Sequence, residues 1–368
     1  MPAFRGRPPY LMSEMIAAEP GLAERLIRRL TKMERVEQLV TAIREAASAG
    51  QPILTTGCGT SEHAAMGVAV LLNEALDPPA GRDVRAIPPL GTLARPLAEG
   101  LLIAISHEGG TQITNEALRS ARDAGASTAL ITVGELSPGA ALADLVVTTE
   151  EQDQSWCHTV GYLSPILVGV VLAAKLARTR VDALAIRAVL EVADDPHAAA
   201  AIASALAGSD RLIVAGSGVD DISARELALK VAEGARMPAM ALELETVLHG
   251  HLAAATRWTG LVLVLTDAAA AKDGPIRERS SRLLRAARAL AVPAAAILST
   301  DAAKAIPADD TPAGRIVLPP TGRVPGAAGS LLDSAMALQV LTERLARVRG
   351  VNPDTLGRED PAQAAAHA

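Results

Sequence analysis

Aromatic side chains are nearly absent from this 368-residue chain. Phe4, Tyr10, Trp156, Tyr162 and Trp258 are the whole set, so a core must be assembled from Ala, Leu, Val and Ile. Cysteine is as scarce. Cys58 and Cys157 stand far apart, which excludes a disulfide framework and a cysteine-based metal site. No uninterrupted apolar run reaches the ~18 residues needed to span a bilayer. The first stretch, Met1 to Ser13, lacks the apolar centre of a signal peptide. Charge has no strong bias either: the net value is −6 and the two signs are interspersed, so no basic face for nucleic acid is present. Together these absences point to a cytoplasmic protein whose partners include neither membrane nor nucleic acid.

Core-forming material is plentiful, since 49% of the residues are hydrophobic, and the length suits two domains. The chain also repeats itself. An apolar run, Ile53 to Thr56, meets Gly57-Cys58-Gly59 and a helical stretch from Ser61 to Glu74. Farther on, Arg211 to Ala215 meets Gly216-Ser217-Gly218 and a helical stretch from Ile222 to Gly234. The two turns stand 159 residues apart, and later runs keep nearly the same offset: Leu101 to Ile105 with Leu261 to Leu265, then Thr128 to Val133 with Pro293 to Leu298. Asp144 to Thr148 matches Arg315 to Leu318, and shorter strands are expected near Arg85 to Ile87 and Met240 to Leu242. Short apolar runs alternating with helices indicate parallel strands covered on both faces. The expected fold is therefore α/β, with two tandem doubly wound, flavodoxin-like, five-stranded parallel sheets. The expected boundaries are a helical segment over 1–32, domains over 33–178 and 197–350, a connector over 179–196 and a tail over 351–368.

Two turns in the first half carry polar chemistry. Gly57-Cys58-Gly59-Thr60-Ser61 lets the backbone approach a ligand and offers hydroxyls ahead of a helix N-terminus. Ser106-His107-Glu108-Gly109-Gly110-Thr111 ends the next strong strand, so both turns converge on one crevice. Read alone, each is also a plain helix cap. In the second half, Glu226, Lys230 and Glu233 share one helical face, a spacing equally common in solvated ion pairs. His249-Gly250 follows the last short strand in a segment that includes Glu245, and a histidine there can serve in acid–base chemistry. His251 flanks it. Cys58 reads as a packing group, and His63, His197 and His367 as surface or cap residues.

In this order the motifs resemble the SIS (sugar isomerase) family in its double-domain form. Cys58-Gly59-Thr60-Ser61 is similar to the family's first sugar-phosphate loop, and Ser106 to Thr111 to its Ser-x-Ser-Gly-x-Thr cradle. Glu226 to Glu233 is similar to its Glu-x-x-x-Lys-x-x-Glu helix, and Glu245 to Gly250 to its Glu-x-x-His-Gly loop with one residue inserted. The resemblance implies that Thr60, Ser61, Ser106 and Thr111 hold a phosphate beside Cys58, Gly59 and His107. It implies that Glu233 moves a proton between C1 and C2, that His249 assists ring opening, and that Lys230 and Glu226 order the site. Thr159 is expected to line the ligand. A homodimer is implied, with the His249 loop near the neighbouring subunit's site. No cofactor or metal is called for.

Departures from the pattern matter as well. Glu108 stands where the family has a phosphate-binding serine, and a carboxylate facing a phosphate is repulsive unless it turns away or pairs with a base such as His107. Arg358 stands where a relative has an imine-forming lysine, and arginine cannot do that chemistry. The expected function is an isomerase, deaminase or deglycase acting on a sugar phosphate or amino-sugar phosphate. The alternative is a non-catalytic carbohydrate sensor.

Overall fold

A computed structural model describes residues 5–79, 81–324 and 326–366, so Phe4 and His367 lie outside the described residues. The chain forms two compact units. Glu19–Gln152 and Val160–Arg187 make up the first-sheet unit. Asp153–Thr159, the chain from Ala188 onward and the segment ending at Ala18 make up the second-sheet unit.

Helices α1 (Leu11–Leu30) and α2 (Glu34–Ala49) precede the first sheet. There follow β1 (Ile53–Thr56), α3 (Thr60–Leu76), β2 (Arg85–Ala86), α4 (Pro89–Ala94) and β3 (Leu101–Ile105). Then come α5 (Gln112–Ala124), β4 (Ser127–Thr132), β5 (Leu145–Thr148) and α6 (Val160–Leu176). After α7 (Ala183–Ala193) and α8 (Pro196–Leu206), the second sheet starts with β6 (Arg211–Gly216), α9 (Val219–Gly234), β7 (Ala239–Glu243) and α10 (Leu244–Leu248). It continues through β8 (Thr259–Leu265), α11 (Pro275–Ala289), β9 (Ala294–Ser299), α12 (Thr300–Ala305), β10 (Gly314–Leu318) and α13 (Gly326–Val348).

The strand orders are β2-β1-β3-β4-β5 and β7-β6-β8-β9-β10, and every pairing is parallel. Each sheet thus runs second, first, third, fourth, fifth, the doubly wound flavodoxin-like order. Burial follows position. The central strands β1, β3 and β8 are buried throughout, whereas the edge strands β2, β7 and β10 are only partly so. Apolar runs without alternation are what two helical layers demand. The buried hydrophobic set is aliphatic apart from Tyr10, Tyr162 and Cys157, as the scarcity of aromatics requires. Among the described residues no helix is long and apolar enough to cross a membrane.

Two buried carboxylates shape the second-sheet unit. Asp354, in the tail, receives the N–H groups of Leu11 and Met12 at 2.8 and 2.9 Å, and so caps the start of α1. Asp333 is buried within α13, and its Oδ1 has no hydrogen-bond partner among the described residues. Burial alone raises its pKa from 3.8 to about 7.

Replacing Asp354 by Ala removes both caps and is expected to lower unfolding free energy by about 2 kcal/mol, read by urea denaturation. A pH dependence follows from Asp333. Its folded pKa lies above its unfolded value, so the folded state binds a proton that the unfolded state releases, and stability falls as pH rises from about 4 to about 7. Asp333→Asn lacks this loss, so its stability relative to the parent should improve across that window. A difference that stays flat from pH 4 to pH 8 would refute the assignment.

Candidate functional site

In the first-sheet unit, β1 and β3 end in two glycine turns. A Cβ on Gly57 would lie 2.5 Å from the carbonyl oxygen of Ser61, and Gly59 has φ +58°, so side chains are excluded at both. Cys58 Sγ lies 3.6 Å from Oγ1 of Thr114 in the first turn of α5, which sets the two turns side by side. In the second turn Ser106 Oγ donates to Thr111 Oγ1 at 3.4 Å. The loop is pinned from behind. The His107 carbonyl accepts from Thr132 Oγ1 and Val133 N–H, and the Gly109 carbonyl accepts from Gly139 N–H and Asn115 Nδ2.

Neither α3 nor α5 receives a side-chain cap from its N-cap residue. The capping alternative for Thr111 is therefore not what the structure adopts. In α3 the N–H groups of Ser61 and Glu62 already donate to the carbonyls of Cys58 and Gly59, so it is the uncapped start of α5, with the hydroxyls of Thr60, Ser61, Ser106 and Thr111, that forms a cradle suited to an anion. Glu108 is exposed and accepts a hydrogen bond of 2.7 Å from Gln152 Nε2. His107 is buried, and burial lowers its pKa to about 4 against the weaker opposing effect of Glu108. It is neutral at pH 7 and offers Glu108 no countercharge.

In the second-sheet unit, Glu226 and Lys230 have no exposed side-chain surface. Lys230 Nζ lies 2.6 Å from Glu233 Oε2 and 3.7 Å from Glu226 Oε1. The spacing alone had allowed a solvated pair; the burial excludes it. Burial disfavours the charged lysine, but the facing carboxylates of Glu233 and Glu226 outweigh it and raise its pKa above the usual value. Lys230 is a permanent ammonium, unsuited to act as base. Glu233 retains 26% exposure and is the member of the cluster that a ligand can reach.

Cys157 Sγ packs 3.9 Å from the Lys230 carbonyl, and burial holds its thiol protonated. Thr159 is fully buried and its N–H and hydroxyl are both engaged by Asp153. The Arg358 guanidinium stacks 4.0 Å above the Trp156 ring. His249 is 77% exposed, with Nε2 3.1 Å from Glu245 Oε2, while the other Glu245 oxygen meets Arg279 near the start of α11. That places His249 at the carboxyl end of the second sheet, where Ser217, just ahead of α9, bonds Glu243 of β7. Glu233 sits at the far end of α9, which spans roughly 24 Å. Within one chain, these two residues are not brought together.

The second sheet has its own crevice, and it is filled. Gly216 and Gly218 reproduce the geometry of Gly57 and Gly59: a Cβ on Gly216 would lie 2.5 Å from the Asp220 carbonyl, and Gly218 has φ +64°. Asp220, matching Ser61 in the repeat, accepts the N–H and hydroxyl of Thr266 and the N–H of Asp267. Its pKa is raised to about 6 by burial, which outweighs those hydrogen bonds. Gln152, Asp153, Cys157 and Asp220 were not singled out from the sequence as site residues. Only Asp220 carried a signal, its register with Ser61. Among the described residues no group of His, Cys, Asp or Glu is arranged to hold a metal ion.

Residues 47–175, which hold the first sheet, match the family model described as SIS domain. No curated protein is matched by the sequence. Among solved structures, the C-terminal domain of glucosamine-fructose-6-phosphate aminotransferase from Francisella tularensis is similar, with TM-score 0.78 and 18% identity over 95% of this chain and 99% of that one. Tagatose-6-phosphate ketose/aldose isomerase from Escherichia coli has TM-score 0.73 and 20% identity, covering 97% of each chain. Glucosamine-6-phosphate deaminase from Thermotoga maritima has TM-score 0.65 and 18% identity over 94% of this chain and 97% of that one. At such identities the likeness is one of fold, and it extends over both sheets.

Lys230→Met should leave the buried Glu226 carboxylate without its ammonium and cost about 3–5 kcal/mol of stability in chemical denaturation. The double variant Glu226→Gln with Lys230→Met should recover most of that loss. A single variant as stable as the parent would mean that the ion pair does not hold α9.

Proposed function

We propose that this protein is an enzyme that moves a proton between C1 and C2 of a sugar phosphate or amino-sugar phosphate, as an isomerase, deaminase or deglycase. The observation that carries this reading is Glu233, a partly exposed carboxylate fixed at 2.6 Å by a buried ammonium. An aldose–ketose proton shift requires a base that is held in place, reaches the ligand and returns the same proton. The anion cradle at Thr60, Ser61, Ser106 and Thr111 suits the phosphate. The names of the structurally similar isomerase, deaminase and aminotransferase domain agree with this substrate class.

In this reading Glu233 removes the proton from one carbon and delivers it to the next, through an enediol or enolamine. His249 assists opening of the cyclic sugar. Because α9 separates His249 from Glu233 within one chain, the reading also calls for a homodimer in which His249 serves the neighbouring subunit's Glu233.

Glu233→Gln should abolish turnover of fructose 6-phosphate or glucosamine 6-phosphate and leave calorimetric binding within about threefold. His249→Asn should be similarly inactive. Mixing the two variants under conditions of subunit exchange should restore about a quarter of the parent activity, since random pairing makes half the dimers mixed and each has one intact site. No recovery in mixed dimers would overturn the shared site. Tight ligand binding by a parent protein without turnover would favour the carbohydrate sensor.

A further inference from the structure

The mouth of the first-sheet crevice bears negative charge and has no cation of its own. The turns after β1 to β5, residues 57–63, 87–92, 106–114, 133–140 and 149–152, contain Glu62, Glu108, Glu135, Glu150 and Glu151 but no Lys or Arg. Arg29 and Arg25 of α1 answer Glu150 and Glu151 at 3.0 and 3.7 Å. Glu108 has no such answer among the described residues. Its hydrogen-bond partner is the neutral Gln152 amide, which meets Oε1, and the adjacent His107 is buried and neutral.

Glu108 also occupies the position that matters most. It is exposed in the turn between Ser106 and Thr111, whose hydroxyls lie 3.4 Å apart at the uncapped start of α5. An anion drawn to those N–H groups and hydroxyls shares the mouth with a carboxylate. That juxtaposition is unfavourable for a ligand carrying only negative charge, and favourable for one that brings an ammonium with it. The Gln152 amide cannot neutralise Glu108; it holds the carboxylate in one orientation.

We propose that Glu108 is a specificity-determining residue that pairs with the ammonium of an amino-sugar phosphate or ketosamine phosphate and discriminates against sugar phosphates lacking an amine. This inference rests on the phosphate-cradle reading above. Like-charge juxtaposition acts here as the repulsive element of specificity, and the ammonium converts it into attraction.

The test is isothermal titration of the full chain with glucosamine 6-phosphate, glucose 6-phosphate and glucosamine at pH 7. The parent is expected to bind glucosamine 6-phosphate about tenfold or more tighter than glucose 6-phosphate. In Glu108→Gln the advantage should shrink to about twofold or less, chiefly through a gain for glucose 6-phosphate. Glu135→Gln, which neutralises an exposed acid on another turn, should keep the advantage. Equal binding of the two phosphates by the parent, or an advantage that survives Glu108→Gln, overturns the inference and leaves the cradle standing. An equal collapse in Glu135→Gln assigns selectivity to the general field and also overturns it. Glucosamine binding as tightly as glucosamine 6-phosphate overturns the cradle itself, and this inference with it.

Discussion

A lysine ammonium with no solvent exposure persists in an aliphatic core only while carboxylates face it. Lys230 has Glu233 on one side and Glu226 on the other, and α9 is organised by that arrangement. The helix is buried on most sides and packs on α13. Its C-terminal end is packed to the limit: a Cβ on Gly234 would lie 3.0 Å from a Thr342 methyl and 3.1 Å from Cys157 Sγ. Arg236 then engages Glu359 and Thr355 of the tail. A charge placed where water cannot reach it thus fixes the rotamer of Glu233, and the closely packed surroundings keep the pair from relaxing.

The duplicated sheets show how one architecture can be open in one copy and closed in the other. Both units retain glycines where a Cβ would strike the next helix turn and where φ is positive. They differ two positions beyond the second glycine, at Ser61 and Asp220. Ser61 offers a hydroxyl to the first crevice, whereas Asp220 places a carboxylate in the second that accepts from Thr266 and Asp267. The second crevice thus holds a carboxylate of its own, bonded to the neighbouring strand's end.

The strands, their pairing order and both glycine turns were legible in the sequence, because their causes are local. A doubly covered strand is an unbroken apolar run, and a turn with no room for Cβ must be glycine. The motif-bearing helices were legible in position but not in environment. Glu226 and Lys230 have the same spacing whether solvated or sealed, and only the packing of α13 on α9 decides. Contacts between residues distant in sequence were not legible. Asp354 capping α1 and Gln152 holding Glu108 arise from a tertiary arrangement that no periodicity encodes. The strip Asp153–Thr159, expected in the first domain, clusters with the second-sheet unit.

That strip has a consequence for how the chain emerges from synthesis. The polypeptide enters the second-sheet unit at Asp153, leaves at Val160 and returns at Ala188, so neither unit is a continuous stretch. Trp156 donates its N–H to the Asp354 carbonyl, Cys157 packs against Lys230, and the Thr159 carbonyl accepts from Gln339. During vectorial translation Cys157 waits 73 residues for Lys230, and Thr159 waits 180 for Gln339. Completion of the strip is therefore a late, long-range closure, of the kind that slows folding.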